Sequence, residues 1–184
     1  MPSQVITFDT TSGWYEGQNA IVNDTNFFFC DLGKDASYAD GNVSGPDTND
    51  VLASNITVLG IEVFLEDAGY QSTSTNTTVD VALYHVGTSA YTTAETITLT
   101  SNGGALTGAL KSAGGQTALW GKTWAYSDLQ GLRVRIFNPL EPGGGIALIS
   151  SYLYVVVSYL AGADPAGHII IPSGKVSLSG YLRI

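Results

Sequence analysis

The chain has one cysteine, Cys30, in 184 residues. A lone thiol excludes an intramolecular disulfide and a zinc site built on several cysteines. Following Phe27, Phe28 and Phe29, it reads as a small buried hydrophobe. Charge is scarce too: Asp, Glu, Lys and Arg together make 12% of the sequence. Sixteen acidic against seven basic residues leave a formal net charge of −9, and the cations are scattered. With no basic cluster to neutralise phosphates, nucleic acid is excluded as a partner. The surplus acid reads as a solubilising charge. Long apolar runs are missing. The longest, around Tyr152 to Val157, falls far short of the roughly 20 residues a membrane helix needs. No membrane partner is expected. The opening MPSQVITFDTT shows neither the basic nor the apolar stretch of a signal peptide, which predicts folding in the cytoplasm of the producing cell.

What is present is turn chemistry: 22 glycines with many Ser, Thr and Asn. Such a composition favours short strands joined by polar turns over helices. The length suits one domain with a core of its own.

The clearest stretch is 131–160. In GLRVRIFN, Leu132, Val134 and Ile136 alternate with Arg133 and Arg135, the period of a strand with one buried face. After PLEPGGG, residues 146–160 are apolar at both alternating sets, which predicts a strand covered on both faces and paired with its predecessor as a hairpin. Earlier, 4–8 reads as a short strand and 27–31 as a brief apolar run. A turn is expected at Asp40-Gly41 and a loop over 43–50. ITVLGIEVFLED (56–67) places Leu59, Ile61, Val63 and Leu65 on one face and Glu62 and Glu66 on the other. TVDVALYHVG (78–87) does the same with Val79, Val81 and Leu83, and 93–101 reads as a polar strand near an edge. Residues 101–117 are broken by glycines and read as loop, and 124–131 as one helical turn capped by Ser127.

The expected fold is therefore all-β, an antiparallel sandwich of jelly-roll type over residues 1–160. Residues 161–184 form a linker and an extended amphipathic β segment. Its contact residues would be Val176, Leu178, Tyr181, Leu182 and Ile184, pairing within the sandwich or with another subunit.

Catalytic chemistry finds little footing. His85 and His168 have no carboxylate nearby in sequence, and no nucleophile elbow, phosphate loop or dinucleotide fingerprint occurs. Glu62 and Glu66, four residues apart on a strand, are separated by about 13 Å, beyond the roughly 5 to 9.5 Å used by paired glycosidase carboxylates. Calcium would need more oxygen ligands than Asp47 with Asp50, or Glu66 with Asp67, supply. No enzyme activity, cofactor or metal is expected. The sequons at Asn23, Asn42, Asn55 and Asn76 read as by-products of composition. Trp14, Trp120 and Trp124 either pack the core or form a platform for a surface glycan.

Several segments occur in a familiar order: Trp14, SYADGN (37–42), NITVLGIEV (55–63), ALWGKTWAYSDLQ (118–130), LRVRIF (132–137) and LYVVVSY (153–159). This succession resembles a family of phage and prophage structural proteins with a jelly-roll-like domain. The chain departs from it at Thr117-Ala118, where the family tends to have Ser-Asp, and over 161–184, which has no counterpart. The resemblance implies a virion component on the exterior of a capsid or tail. A capsid cement or decoration protein that forms homo-oligomers, trimers by expectation, on the major capsid protein is the first reading. A head-fibre or tail protein with a glycan-binding sandwich is the second.

Overall fold

The computed structural model describes residues 1–12, 17–20, 28–31, 40–46, 55–70, 78–100, 109–137 and 146–162. The segment 163–184, with Val176, Leu178, Tyr181, Leu182, Ile184 and His168, lies outside them, as do Trp14, Asp47, Asp50 and the side chain of Cys30.

The chain is an all-β antiparallel sandwich. Its strands are β1 (Ser3–Ile6), β2 (Phe8–Ser12), β3 (Phe28–Asp31), β4 (Asp40–Pro46), β5 (Thr57–Ala68), β6 (Thr78–His85), β7 (Ala90–Tyr91), β8 (Glu95–Thr98), β9 (Ala109–Gly114), β10 (Arg133–Phe137), β11 (Ile146–Ser150) and β12 (Tyr152–Leu160). A short helix, α1 (Tyr126–Gln130), precedes β10. One sheet has the order β1-β12-β5-β9 and the other β2-β4-β10-β6-β7, with β8 also on β6. A small ladder pairs β11 with β3.

The pairing partners explain the architecture. β1 pairs with β12, β4 with β10, β5 with β9 and β6 with β8, all antiparallel. Those four pairs are the rungs of one long hairpin folded at the β6–β8 connection. Pairing β12 with β5, and β10 with β6, rolls that hairpin into two sheets, which is jelly-roll connectivity. Ile61, Val63 and Leu65 of β5 and Leu153, Val155 and Val157 of β12 meet Val79, Val81 and Leu83 of β6 and Val134 and Ile136 of β10 in one buried cluster. Period-2 alternation directs each set inward, and burying both sets together is what makes two layers stable.

The expected hairpin of β10 and β12 does not form: β10 lies between β4 and β6, and β12 between β1 and β5, in opposite sheets. Residues 146–160 are not one strand either. They break at Ser151, where the Ser151 amide and the Ser150 hydroxyl both donate to the Glu66 carbonyl, at 3.1 and 2.6 Å. The outer positions of β12, Tyr152, Tyr154 and Val156, are partly exposed while Ser158 is buried, so that strand is fully covered on its inner face and only partly on its outer one. Residues 40–46, expected as turn and loop, are a strand despite their Gly, Asn and Pro. Pairing with β2 and β10 on its two sides overrides weak propensity. Gly45 takes a left-handed φ of 68° where a Cβ would strike the Asp9 carboxylate.

β9 likewise emerges from a glycine-broken stretch, because its backbone is claimed by the edge of β5 and only Ala113 of its side chains is buried. Leu59 does not share the face of Ile61. Ser158 pairs with Gly60 and Tyr159 with Val58, so Leu59 is the extra residue of a bulge and Val58 takes the inward position.

Candidate functional site

Among the described residues, three places gather the side chains that carry chemistry. The first is the end of β6, where His85 continues the inward set of Val79, Val81 and Leu83. A 3-10 turn, Val86–Thr88, follows it, and the Thr88 amide donates to His85 Nδ1 at 3.1 Å. An amide can only donate, so Nδ1 is the unprotonated nitrogen. Nε2 therefore carries the proton and donates to the Thr123 carbonyl at 2.9 Å. Asp128 Oδ2 lies 3.4 Å from the same nitrogen. Asp128 also accepts from the amides of Gly87 at 2.7 Å and Ala125 at 2.8 Å. Ala125 is the N-cap of α1, and Asp128, at the third helical position, closes half of a capping box. Ser127, expected as the cap, sits inside the helix, because the carboxylate one residue on already serves the first free amide.

This cluster is a clasp. Both groups are buried, and the carboxylate and the imidazole face backbone partners that tie the 86–88 turn and α1 to the end of β6. Trp124 closes it with its ring edge-on to the imidazole at 4.9 Å. Sequence spacing alone did not bring Asp128 to His85. The legible signal was the acidic residue three positions into the helical turn.

The second place is the loop 115–124. Trp120 and Trp124 are 6% and 4% exposed, and their indole N–H groups donate to the carbonyls of Ile61 and Leu119, both at 2.9 Å. Of the two alternatives, packing holds for both, and neither ring offers a platform. Trp120 takes a left-handed φ of 54°. For a bulky residue that is strained, and burial with the bond to Ile61 holds it. A shallow cleft of about 270 Å³ beside it is lined by Thr93, Ala94, Glu95, Ala118, Trp120 and Gly121. Glu95 is engaged there by the Gly114 amide at 2.7 Å.

The third is the outer face of the β1-β12-β5-β9 sheet, the candidate contact surface. Across β5 and β12, Glu62 stands opposite Val156, Phe64 opposite Tyr154 and Glu66 opposite Tyr152. The Phe64 and Tyr154 rings stack at 5.0 Å and 9°, and Tyr152 lies 5.7 Å from Tyr154. Val5 on β1 and Leu110 on β9, 48% and 58% exposed, extend the apolar area to both edges. Burial pushes the Tyr152 and Tyr154 phenols above their ordinary range, and the Glu66 carboxylate beside them adds to it.

β5 bulges at the rim of this face: Leu65 pairs with Lys111 but Ala68 with Ala109. Asp67, within the bulge, takes a left-handed φ of 50°. The Ser151 hydroxyl holds the Asp67 carboxylate at 2.9 Å. The bulge opens a cleft of about 290 Å³ lined by Glu66, Asp67, Leu110 and Tyr154. Among the described residues, no three His, Cys, Asp or Glu side chains converge to hold a metal ion, and no helix is long and apolar enough to cross a membrane.

The opposite outer face, on β10, β6 and β7, has another character. Arg133 lies over the Tyr84 ring at 4.8 Å. Arg135 lies over Tyr91 at 5.4 Å and over Phe137 at 4.5 Å. Asp80, on the same face, accepts from the Thr96 hydroxyl at 2.7 Å. The five expected contact residues, Val176, Leu178, Tyr181, Leu182 and Ile184, are outside the described residues and are not placed on either face. No protein-family model matches the chain, and no curated protein matches it significantly.

Proposed function

We propose that this chain is a non-enzymatic structural component of a phage particle, a cement or decoration protein that associates with copies of itself and seats on the outside of the capsid shell. The observation that carries the reading is where the family-like segments fall. NITVLGIEV lies on β5, LRVRIF on β10 and LYVVVSY on β12, and these strands are the centre of the two sheets. ALWGKTWAYSDLQ supplies the Trp120 anchor and α1. Jelly rolls are a recurrent architecture of capsid domains. A fold alone does not assign a role, however. The sites add support: the buried His85–Asp128 pair is spent on holding loops, while aromatic and charged side chains stand outward on both sheets. Peptide mapping of purified particles by mass spectrometry tests the reading. Peptides from this chain in fixed ratio to the shell protein are expected, and their absence from mature particles overturns it.

A second reading is favoured by one observation, the Phe64, Tyr152 and Tyr154 cluster beside Glu66 over the bulge cleft. Rings that meet the C–H face of a sugar, with a carboxylate to accept its hydroxyls, suit a neutral glycan on a host surface, as a fibre or tail protein would use. Binding on a glycan array that is lost in Tyr154→Ala supports it, and a blank array removes it.

A further inference from the structure

We infer that the acidic aromatic face of one molecule docks on the arginine-bearing face of a second copy. On the β1-β12-β5-β9 sheet, Glu62 and Glu66 flank the stacked Phe64–Tyr154 pair, with Val5 and Leu110 exposed at either side. On the β10-β6-β7 face, Arg133 is exposed above Tyr84, and Arg135 lies among Tyr91 and Phe137. Both faces are aromatic, and Glu62 and Glu66 on one are opposite in sign to Arg133 and Arg135 on the other, where the Asp80 carboxylate is engaged by the Thr96 hydroxyl. Each has what a partner surface needs at its centre, flat ring area with few rotatable bonds, and what it needs for register, charge of the other sign.

A face docking on its own kind would set carboxylate against carboxylate or guanidinium against guanidinium, so the contact is heterologous. Arg133 also sits on a short strand clamped on both sides by β4 and β6, so its backbone is already ordered before docking. The two faces lie on opposite sides of the sandwich. A contact of this kind repeats head to tail from copy to copy. This deepens the assembly reading and rests on it for its biological use, but its test is independent, since it is read on the isolated protein and not on particles.

The test is sedimentation at physiological salt and up to about millimolar protein. The full-length protein is expected to gain mass with concentration. Arg133→Glu, and Glu62→Arg with Glu66→Arg, should each weaken self-association at least about tenfold, because each sets like charges across the contact. In an equimolar mixture the two variants meet with opposite charges again, and association is expected to return. The milder Arg133→Gln and Glu62→Gln with Glu66→Gln variants, checked by circular dichroism, cover the case in which charge reversal unfolds the chain. A wild-type chain monomeric throughout overturns the proposal. So do variants that associate like the wild type, or a mixture that stays monomeric.

Discussion

The Nε2 of His85 lies 3.4 Å from Oδ2 of Asp128, inside the end of the sandwich, and that nitrogen already donates to the Thr123 carbonyl. An imidazole–carboxylate pair is the usual apparatus of general-base chemistry. Here the free lone pair of the imidazole is occupied by the Thr88 amide, and the carboxylate by two further amides. The pair stabilises loop closure.

Removing the carboxylate should therefore cost stability. Asp128→Ala leaves the amides of Gly87 and Ala125 without their carboxylate acceptor at a part-buried site, a loss of about 1 to 3 kcal/mol. Asp128→Asn keeps one acceptor oxygen and should lose about 1 to 2 kcal/mol. Urea unfolding of both, with His85→Ala as the second arm of a double-mutant cycle, measures the coupling. Additive effects within about 0.5 kcal/mol would refute the clasp.

Trp120 should behave as an anchor. Trp120→Phe keeps most of the ring but drops the bond to the Ile61 carbonyl, costing about 1 to 3 kcal/mol. Trp120→Ala empties a buried site and should cost about 3 to 5 kcal/mol. Thermal unfolding of the two variants compares them, and equal losses would show that the hydrogen bond matters no less than the packing.

Two glycines should respond differently to a methyl group. A Cβ at Gly60 would run into the backbone of Gly115 and Gln116, which cross over β5 there. Gly60→Ala should therefore lose about 2 kcal/mol or more, since a packed backbone cannot give way cheaply. Gly121 has a left-handed φ of 69° but open space around it. Gly121→Ala then pays only the conformational cost, about 1 to 2 kcal/mol. Chemical unfolding ranks them, and the reverse order would mean that the 115–118 loop yields easily.

Alkaline pH should destabilise the fold. Burial raises the phenols of Tyr152, Tyr154 and Tyr159 in the folded chain, with Glu66 adding to the first two. The unfolded chain then loses these protons first, so stability is intact below about pH 10 and falls as pH rises through the folded values. Glu66→Gln should make the fall only slightly smaller, by bringing the folded values of Tyr152 and Tyr154 nearer the unfolded ones, since burial is the larger cause at both tyrosines. Urea unfolding across this range, with phenolate absorbance as the second readout, checks it. Stability that stays level or rises through the alkaline range would contradict the assignment.

Much of the fold was legible. Alternation placed β5, β6 and β10 and most of their buried residues, Leu59 at the bulge excepted, because a strand with one wet face shows its period in the sequence. Partnership was not legible. β10 and β12 look like neighbours through PLEPGGG, yet each pairs with strands far away in the chain, and nothing local records which. β4 and β9 were hidden for a related reason: the backbone of a neighbour, not their own side chains, makes them strands. The contact surface was half visible. Glu62 and Glu66 stood out as a shared face, but the Phe64–Tyr154 stack joins residues on different strands and emerges only once the register of β5 on β12 is known.

An electron cryo-microscopy map of the parent particle tests the central claim most directly. The account predicts jelly-roll density on the outside of the shell, with one of the two charged aromatic faces in contact with a neighbouring protein. Particles whose surface carries no such density, or that bury the His85–Asp128 end around a bound ligand while both faces stand in solvent, would contradict it.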